Sequence, residues 1–371
     1  MATARLPFDP VCLQCKRRLR SRIVQARPVT TSQMSEGLLR GVENDGNKQH
    51  RKRGRQMATS TAPLTVPPLR LEPAYSDRDA VWRKLIDHAP YPLMAAGAGY
   101  GEMMKWAPIE PWFRASWAVG GKRCDAAIQT LLDDQRFIEA AGRLFGAQIV
   151  RPQSLTVNVM GPMDAGARHF DVPTYRGLSG AKTPIWLPMM MGVSGLFDRW
   201  AVRVAGVLTW FYEGTDGEYE YWPYGIEHPS ESERGPFGNV AIVGDNDLML
   251  HQVGAVGDAQ EFRDNVKLTM QSAIRPTDDG WEITDRTSVS ATLPSEKVRV
   301  SLLWKATTFR DDDEARVFDE HEDDLDIDTV VSIFCKDLAD RDIPFTAPND
   351  PFSDEGWSTV LGQTYLVNAF T

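Results

Sequence analysis

Near the middle of the chain, the stretch Gly166-Ala167-Arg168-His169-Phe170-Asp171-Val172-Pro173 places a histidine and an aspartate two positions apart. On an extended backbone such residues project to the same side, so an imidazole and a carboxylate at this spacing can grip one metal ion together. An H-x-D pair alone has little specificity, because a chain of 371 residues can contain one by chance. A third ligand is needed. The chain has only six histidines, His50, His88, His169, His228, His251 and His321, so the search for it is finite. Downstream of the pair, His228 lies in a Pro/Ser/Glu loop and His321 in an acidic run. His251 instead follows a turn and sits in a strand-like stretch, Asp247-Leu248-Met249-Leu250-His251-Gln252-Val253.

Two histidines and one carboxylate on adjacent strands can occupy one face of an octahedral iron and leave positions open for a cosubstrate and dioxygen. Taken without His251, His169 reads better as an ordinary strand residue with its hydrogen bonds satisfied. Together, His169, Asp171 and His251 form the candidate metal and catalytic set.

The elements that must position them change character along the chain. Residues 69–149 read as a helical part, with segments around 77–88 and 125–145; in the second, Ile128, Leu131, Leu132, Phe137, Ile138, Ala141 and Leu144 approximate one apolar face. From residue 150 to 310 the texture is β-rich. Short strands are expected at 154–160, 202–212, 218–222, 240–243, 248–253, 281–283 and 298–309, separated by Gly, Pro, Asp and Asn, which points to a sandwich or barrel. Residues 213–217 read as a hairpin loop and 244–247 as a second sharp turn, together fitting an antiparallel meander. A helix is expected at 187–204, inserted between strands. Residues 311–371 read as an acidic helical tail with a helix near 329–340. Asp324, Asp326 and Asp328 alternate as in a calcium loop, but Thr329 stands where that loop requires glycine, so a solvated helix N-terminus is the better reading.

The H-x-D motif, the distal His251 and their strand context resemble the Fe(II)/2-oxoglutarate-dependent dioxygenase superfamily, with a character nearest its phytanoyl-hydroxylase-like and small-molecule-hydroxylating branches. The resemblance covers about residues 150–310. It implies a mainly β fold with flanking helices (α+β) around a double-stranded β-helix, jelly-roll or cupin-like core. It also implies Fe(II), 2-oxoglutarate and O2 as cofactor and cosubstrates, a small-molecule substrate, and oxidative decarboxylation of 2-oxoglutarate to succinate. Members of the family carry an arginine on the last core strand that clamps the far carboxylate of 2-oxoglutarate through its guanidinium fork. Arg299, which opens the β-like run Val298-Arg299-Val300-Ser301-Leu302-Leu303-Trp304-Lys305-Ala306, is the first candidate here, and Arg275 is the second. If the clamp is Arg299, residues 254–296 are an insertion able to cover the site. Related iron halogenases replace the carboxylate ligand with a small residue, so Asp171 favours hydroxylation. Asn158, Trp210, Tyr212 and Trp222 are candidates for the substrate pocket, although aromatics at strand spacing more often belong to a core. A cupin-like metal protein or isomerase, using the same ligands without 2-oxoglutarate, is the competing class.

Composition bounds the remainder. A hydrophobic content of 42% supports a substantial core, and no run of about 18 apolar residues marks a membrane span. Four scattered cysteines do not make a disulfide framework, and the lone Cys12–Cys15 pair has no second pair to complete a zinc site. A cytoplasmic, reducing setting is the expectation. The net charge of -10 conceals an opposition, since residues 1–60 carry 13 Lys/Arg against 4 Asp/Glu. Residues 1–68 read as a disordered basic extension: a targeting peptide for an organelle, a basic binding arm, or a dispensable segment ahead of Met57. The acidic body argues against nucleic acid as its main partner. Oligomeric state is not legible in the sequence.

Overall fold

A computed structural model describes residues 65–94, 109–178 and 183–366 of the protein. Most of the basic extension read over residues 1–68, including Cys12 and Cys15, lies outside the described residues. In chain order the strands are β1 (Leu69–Leu71), β2 (Tyr91–Pro92), β3 (Trp112–Val119), β4 (Lys122–Arg123), β5 (Ile149–Met160), β6 (Thr174–Tyr175), β7 (Ala201–Val202) and β8 (Val204–Tyr212). They continue with β9 (Tyr219–Trp222), β10 (Glu231–Glu233), β11 (Phe237–Gly244), β12 (Leu250–Val253), β13 (Ser272–Thr277), β14 (Gly280–Asp285), β15 (Ser288–Leu293) and β16 (Arg299–Phe309). A major sheet of seven strands has the order β1-β11-β8-β16-β5-β3-β4, and a minor sheet has the order β10-β9-β12.

Strand β16 lies at the centre of the major sheet, antiparallel to both β5 and β8. Its side chains alternate between two faces. Val300, Leu302, Trp304 and Ala306 join Leu155, Val157 and Val159 of β5 and Ala205, Val207 and Phe211 of β8 in one hydrophobic core, which also takes Leu85, Phe137 and Ala141 from the N-terminal helices. This outer face is where the helices pack, and Trp304 Nε1 donates to the buried carbonyl of Leu132 at 2.7 Å. The opposite, inner face carries Arg299, Ser301, Leu303 and Lys305. Here Trp210, Tyr212, Val240 and Ile242 meet Tyr219 and Tyr221 of the minor sheet in a separate cluster. One strand thus supplies core from its even positions and chemistry from its odd ones.

The loop at 213–217 does join β8 to β9, but these strands do not pair: β8 pairs with β11 and β16, whereas β9 pairs with β10 and β12. The turn at 244–247 likewise carries the chain from β11 in the major sheet to β12 in the minor one. The expected local meander is therefore replaced by strands passing back and forth between two opposed antiparallel sheets, a double-stranded β-helix of the jelly-roll kind. Turn residues mark where a strand ends; they do not specify which sheet receives the next one.

Helices flank this core. The segment expected as one helix over 125–145 breaks at Asp133 and Asp134, and Asp134 caps its second part, Gln135–Phe145, by accepting from Arg136 N. The helix expected at 187–204 spans only Trp186–Ser194, because Gly195 takes a left-handed conformation with φ 66° and ends it. Val204 already belongs to β8. That short helix, with Tyr175 and Phe197, forms a second hydrophobic core with Val330, Phe334, Leu338, Trp357 and Leu361 of the acidic C-terminal part. Asp326 caps the helix Ile327–Asp340 by accepting from Thr329 N at 2.7 Å, as expected of a helix N-terminus there. Residues 254–296 differ from expectation. Their sheet, ordered β15-β14-β13-β2, sends Ile274, Trp281, Ile283 and Leu293 into the outer-face core beneath the N-terminal helices, so it buttresses the major sheet from outside. Among the described residues no helix is long and apolar enough to cross a membrane.

Candidate metal centre

His251 lies on β12, opposite Tyr221 of β9. His169 faces it from the other side: the two residues exchange both backbone hydrogen bonds, His169 N to His251 O and His251 N to His169 O, each 3.0 Å. The segment around His169 is an irregular edge of the minor sheet, tied to β12 and its flanks by Met163 to Val256, Gly166 to Val253 and Asp171 N to Asn246 O. A directly opposed pair on antiparallel chains puts both imidazoles on one face, and their rings stand 4.3 Å apart. Asp171 completes the group, with Oδ1 4.0 Å from His169 Nε2 and 3.8 Å from His251 Nε2. This is a 2-His-1-carboxylate triad.

Hydrogen bonds set its tautomers. His169 Nδ1 lies 2.9 Å from Ala167 O and His251 Nδ1 lies 2.9 Å from Met249 O; a carbonyl can only accept, so each Nδ1 is the protonated nitrogen. Each Nε2 therefore turns a lone pair toward Asp171, the arrangement in which histidine ligates metals. Burial, reinforced by His169, pushes His251 down to about 4, leaving it a neutral ligand near neutral pH. At Asp171 burial raises the pKa, but Lys305 and the two histidines outweigh it and hold the carboxyl below its ordinary range. Two imidazoles turning Nε2 inward, an ionised carboxylate and one open side, where His169 is half exposed, fit Fe(II).

Behind the triad stand two more carboxyls. Burial is the main cause that pushes Asp247 up to about 7 and Asp245 up to about 6. A carboxyl whose pKa rises on folding holds its proton more tightly in the native state. Its contribution to stability is complete below the ordinary value of 3.8 and is lost as pH rises through about 7. His251 has the other sign: its contribution is present above the ordinary 6.5 and is lost as pH falls toward 4. Metal-free protein is expected to lose stability between about pH 6 and about pH 8 by roughly 1 kcal/mol, the loss from the two aspartates being partly offset by His251, and Asp247→Asn to remove most of that fall. Melting temperatures at the two pH values check this; an equal fall in the variant would place the cause elsewhere.

Arg299 is 1% exposed, on the inner face of β16. Its Nε donates to Gly217 O at 2.7 Å, Nη1 approaches Met160 Sδ at 3.8 Å, and Nη2 is buried with no hydrogen-bond partner. The guanidinium lies 5.8 Å from the Trp210 ring, Trp210 lies 5.8 Å from Tyr219, and Tyr219 lies 5.7 Å from His251. An aromatic wall thus runs from the arginine to the triad. Burial brings the arginine down to about 10, so it remains charged, yet among the described residues no carboxylate pairs with it. Arg275 is placed differently. It is exposed on β13, with Nε and Nη2 on Glu282 Oε2 at 3.1 and 2.7 Å.

The four pocket candidates also separate. Asn158, Ser301 and Trp210 share one rung of the inner face across β5, β16 and β8, and Asn158 accepts from Trp112 Nε1 at 3.1 Å. Tyr212 lies in the inner cluster and donates to Asp216. Trp222 is not brought to the triad: it pairs with Leu250, the neighbour of His251, so it faces the other side of the minor sheet, under the Arg168 guanidinium at 4.7 Å. Sequence reasoning missed Lys305, Tyr219 and Asn246. The strict alternation along β16 carried a signal for Lys305, which shares the parity of Arg299. One other ligating group comes together among the described residues, His88, Cys124 and Asp125, but there His88 Nε2 and Asp125 Oδ2, 2.6 Å apart, satisfy one another.

No protein-family model matches the sequence, and no curated protein matches it. Solved structures are similar to it in part. An oxidoreductase of the 2OG-Fe(II) oxygenase family from Burkholderia pseudomallei is 15% identical, over 65% of this chain and 84% of its own, with a TM-score of 0.35. A prolyl-4-hydroxylase from Pseudomonas putida is 11% identical over 66% of this chain and 93% of its own, with a TM-score of 0.32. HygX from Streptomyces hygroscopicus, with nickel, 2-oxoglutarate and hygromycin B bound, is 10% identical over 66% of this chain and 84% of its own, with a TM-score of 0.32. The chemistry is accordingly read from this chain's own side chains.

Proposed function

We propose that the protein is an Fe(II)- and 2-oxoglutarate-dependent dioxygenase that hydroxylates a small organic molecule. The observation that carries this reading is Arg299. Among the described residues no carboxylate touches this buried guanidinium, which is costly, and its unpaired Nη2 asks for an acceptor with negative charge. A metal-binding cupin has no use for such a group facing the triad's side of the sheet. The far carboxylate of 2-oxoglutarate matches the guanidinium fork, and its keto-acid end is a chelating group for the metal.

Fe(II) held by His169, Asp171 and His251 would supply dioxygen activation coupled to decarboxylation of 2-oxoglutarate, with succinate and carbon dioxide as products. The protein's own part is positioning. Arg299 anchors the cosubstrate at one end, Trp210 and Tyr219 wall off the space between it and the triad, and the exposed flank of His169 leaves the side from which substrate approaches. Asp171 as a third protein ligand favours hydroxylation over halogenation. Asn158 and Trp210 remain the better placed of the four pocket candidates.

Full-length protein with Fe(II), ascorbate and 2-oxoglutarate should form succinate, and a candidate substrate should accelerate it. Absence of succinate under those conditions would return the chain to the cupin class. Gly217 offers a subtler check, since it has φ +62° and an added Cβ would lie 2.9 Å from Arg299 Cδ. Gly217→Ala is expected to displace the arginine and raise the 2-oxoglutarate concentration needed for half-maximal turnover by about tenfold, at a stability cost of roughly 1 kcal/mol. An unchanged requirement would show that the clamp does not depend on this contact.

A further inference from the structure

The two oxygens of Asp171 have different partners. Oδ1 faces both imidazoles. Oδ2 meets Lys305 Nζ at 2.6 Å. Lys305 reaches it from the inner face of β16, where its rung neighbours are Ser154 of β5 and Gly206 of β8, side chains small enough for a long one to lie across the sheet. The same ammonium stands 3.8 Å from Asp247, on the turn that leads into the strand of His251. One cation therefore connects both ligand-bearing segments from behind.

We infer that Lys305 is a positioning residue that restricts Asp171 to coordination through a single oxygen. The inference rests on the triad reading above. A carboxylate can bind a divalent cation through one oxygen or both, and an ammonium 2.6 Å from Oδ2 sets a positive charge against the second oxygen, so a cation reaching for both oxygens meets it there. The restriction matters because of the positions it keeps open. Three protein donors on an octahedral ion leave three sites, enough for a chelating 2-oxo acid and dioxygen; a fourth donor atom from Asp171 would leave two. A lysine acting only as a counter-charge would alter stability and metal affinity, but not the number of open sites.

That number can be read with Mn(II) as the probe, from the relaxation of bulk-water protons by full-length protein saturated with the metal. Lys305→Met should lower the relaxation enhancement per bound Mn(II) by about a third, one of three water positions being lost. Lys305→Arg should restore it, since a guanidinium keeps a positive charge against Oδ2. Metal affinity of the Met variant is expected to change by no more than roughly 10- to 100-fold, so saturation stays within reach. Should Lys305→Met fail to fold, Lys305→Gln, uncharged and too short to reach Oδ2, is measured in its place with the same expectation. Equal enhancement in wild type and the uncharged variant, both fully loaded, would overturn the role of Lys305 and leave the triad standing. Failure of the wild type to bind Mn(II) stoichiometrically would overturn the triad, and this inference with it.

Discussion

His251→Ala is expected to abolish stoichiometric Fe(II) binding and, with it, succinate formation. Of the two histidines His251 is the buried one, 5% exposed, and its place on β12 is fixed by pairing with β9 on one side and with His169 on the other. Its removal leaves two donors on the irregular edge segment, one of them a carboxylate already engaged by Lys305. Loss of a supporting partner around a metal site costs roughly 10- to 100-fold in affinity, and loss of a ligand should cost well beyond that range. Calorimetric titration with Fe(II) under anaerobic conditions reads the effect. Retention of near wild-type affinity would mean that the metal is held elsewhere. The fold itself should survive, because the pairing of β12 with β9 and with the His169 segment runs through backbone hydrogen bonds that the side chain does not make.

Arg299→Met carries the second large effect, and it pairs two readouts that separate a cosubstrate clamp from a structural arginine. Truncating one partner of a buried charge pair typically costs about 2–5 kcal/mol, so affinity for 2-oxoglutarate should fall by between roughly 30-fold and several thousandfold. The ligand-free protein should nevertheless be as stable as wild type or more so. Arg299 lies buried with its Nη2 unpaired and, among the described residues, no carboxylate in contact, and an apolar side chain of similar length relieves that cost. A variant with a lower melting temperature and unchanged 2-oxoglutarate affinity would make Arg299 a structural residue. Arg275→Ala is the matched control, expected to leave the cosubstrate requirement unchanged because that guanidinium is exposed and satisfied by Glu282.

Much of this site was legible because histidine is scarce in the chain. With six residues to choose from, spacing and strand context bring out His169, Asp171 and His251, and the structure gathers those three side chains. The alternation along β16 was equally readable, since a central strand must present one apolar face to its core. What could not be read was pairing. Residues 213–217 and 244–247 have the composition of tight hairpin turns, yet each delivers the chain to the opposite sheet, a choice made by distant partners in β12 and β16. Lys305 was passed over for the same reason: nothing near it in sequence announces that Asp171 lies against it. Residues 254–296, able to cover the site if the clamp is Arg299, instead have their sheet drawn to the helical face by Trp281, 6.0 Å from Trp82 ring to ring. The C-terminal part likewise finds its apolar partners in residues 175–200, which local patterning does not connect to it.

A 2-oxoglutarate-dependent oxygenase leaves one atom of dioxygen in succinate, and labelled dioxygen tests for it directly. Full-length protein turning over 2-oxoglutarate with Fe(II) under ¹⁸O₂ should place one labelled oxygen atom in each succinate formed, with the signal absent in His251→Ala. Succinate without label, or label-containing succinate undiminished in the triad variant, would contradict an oxygenase built on His169, Asp171 and His251.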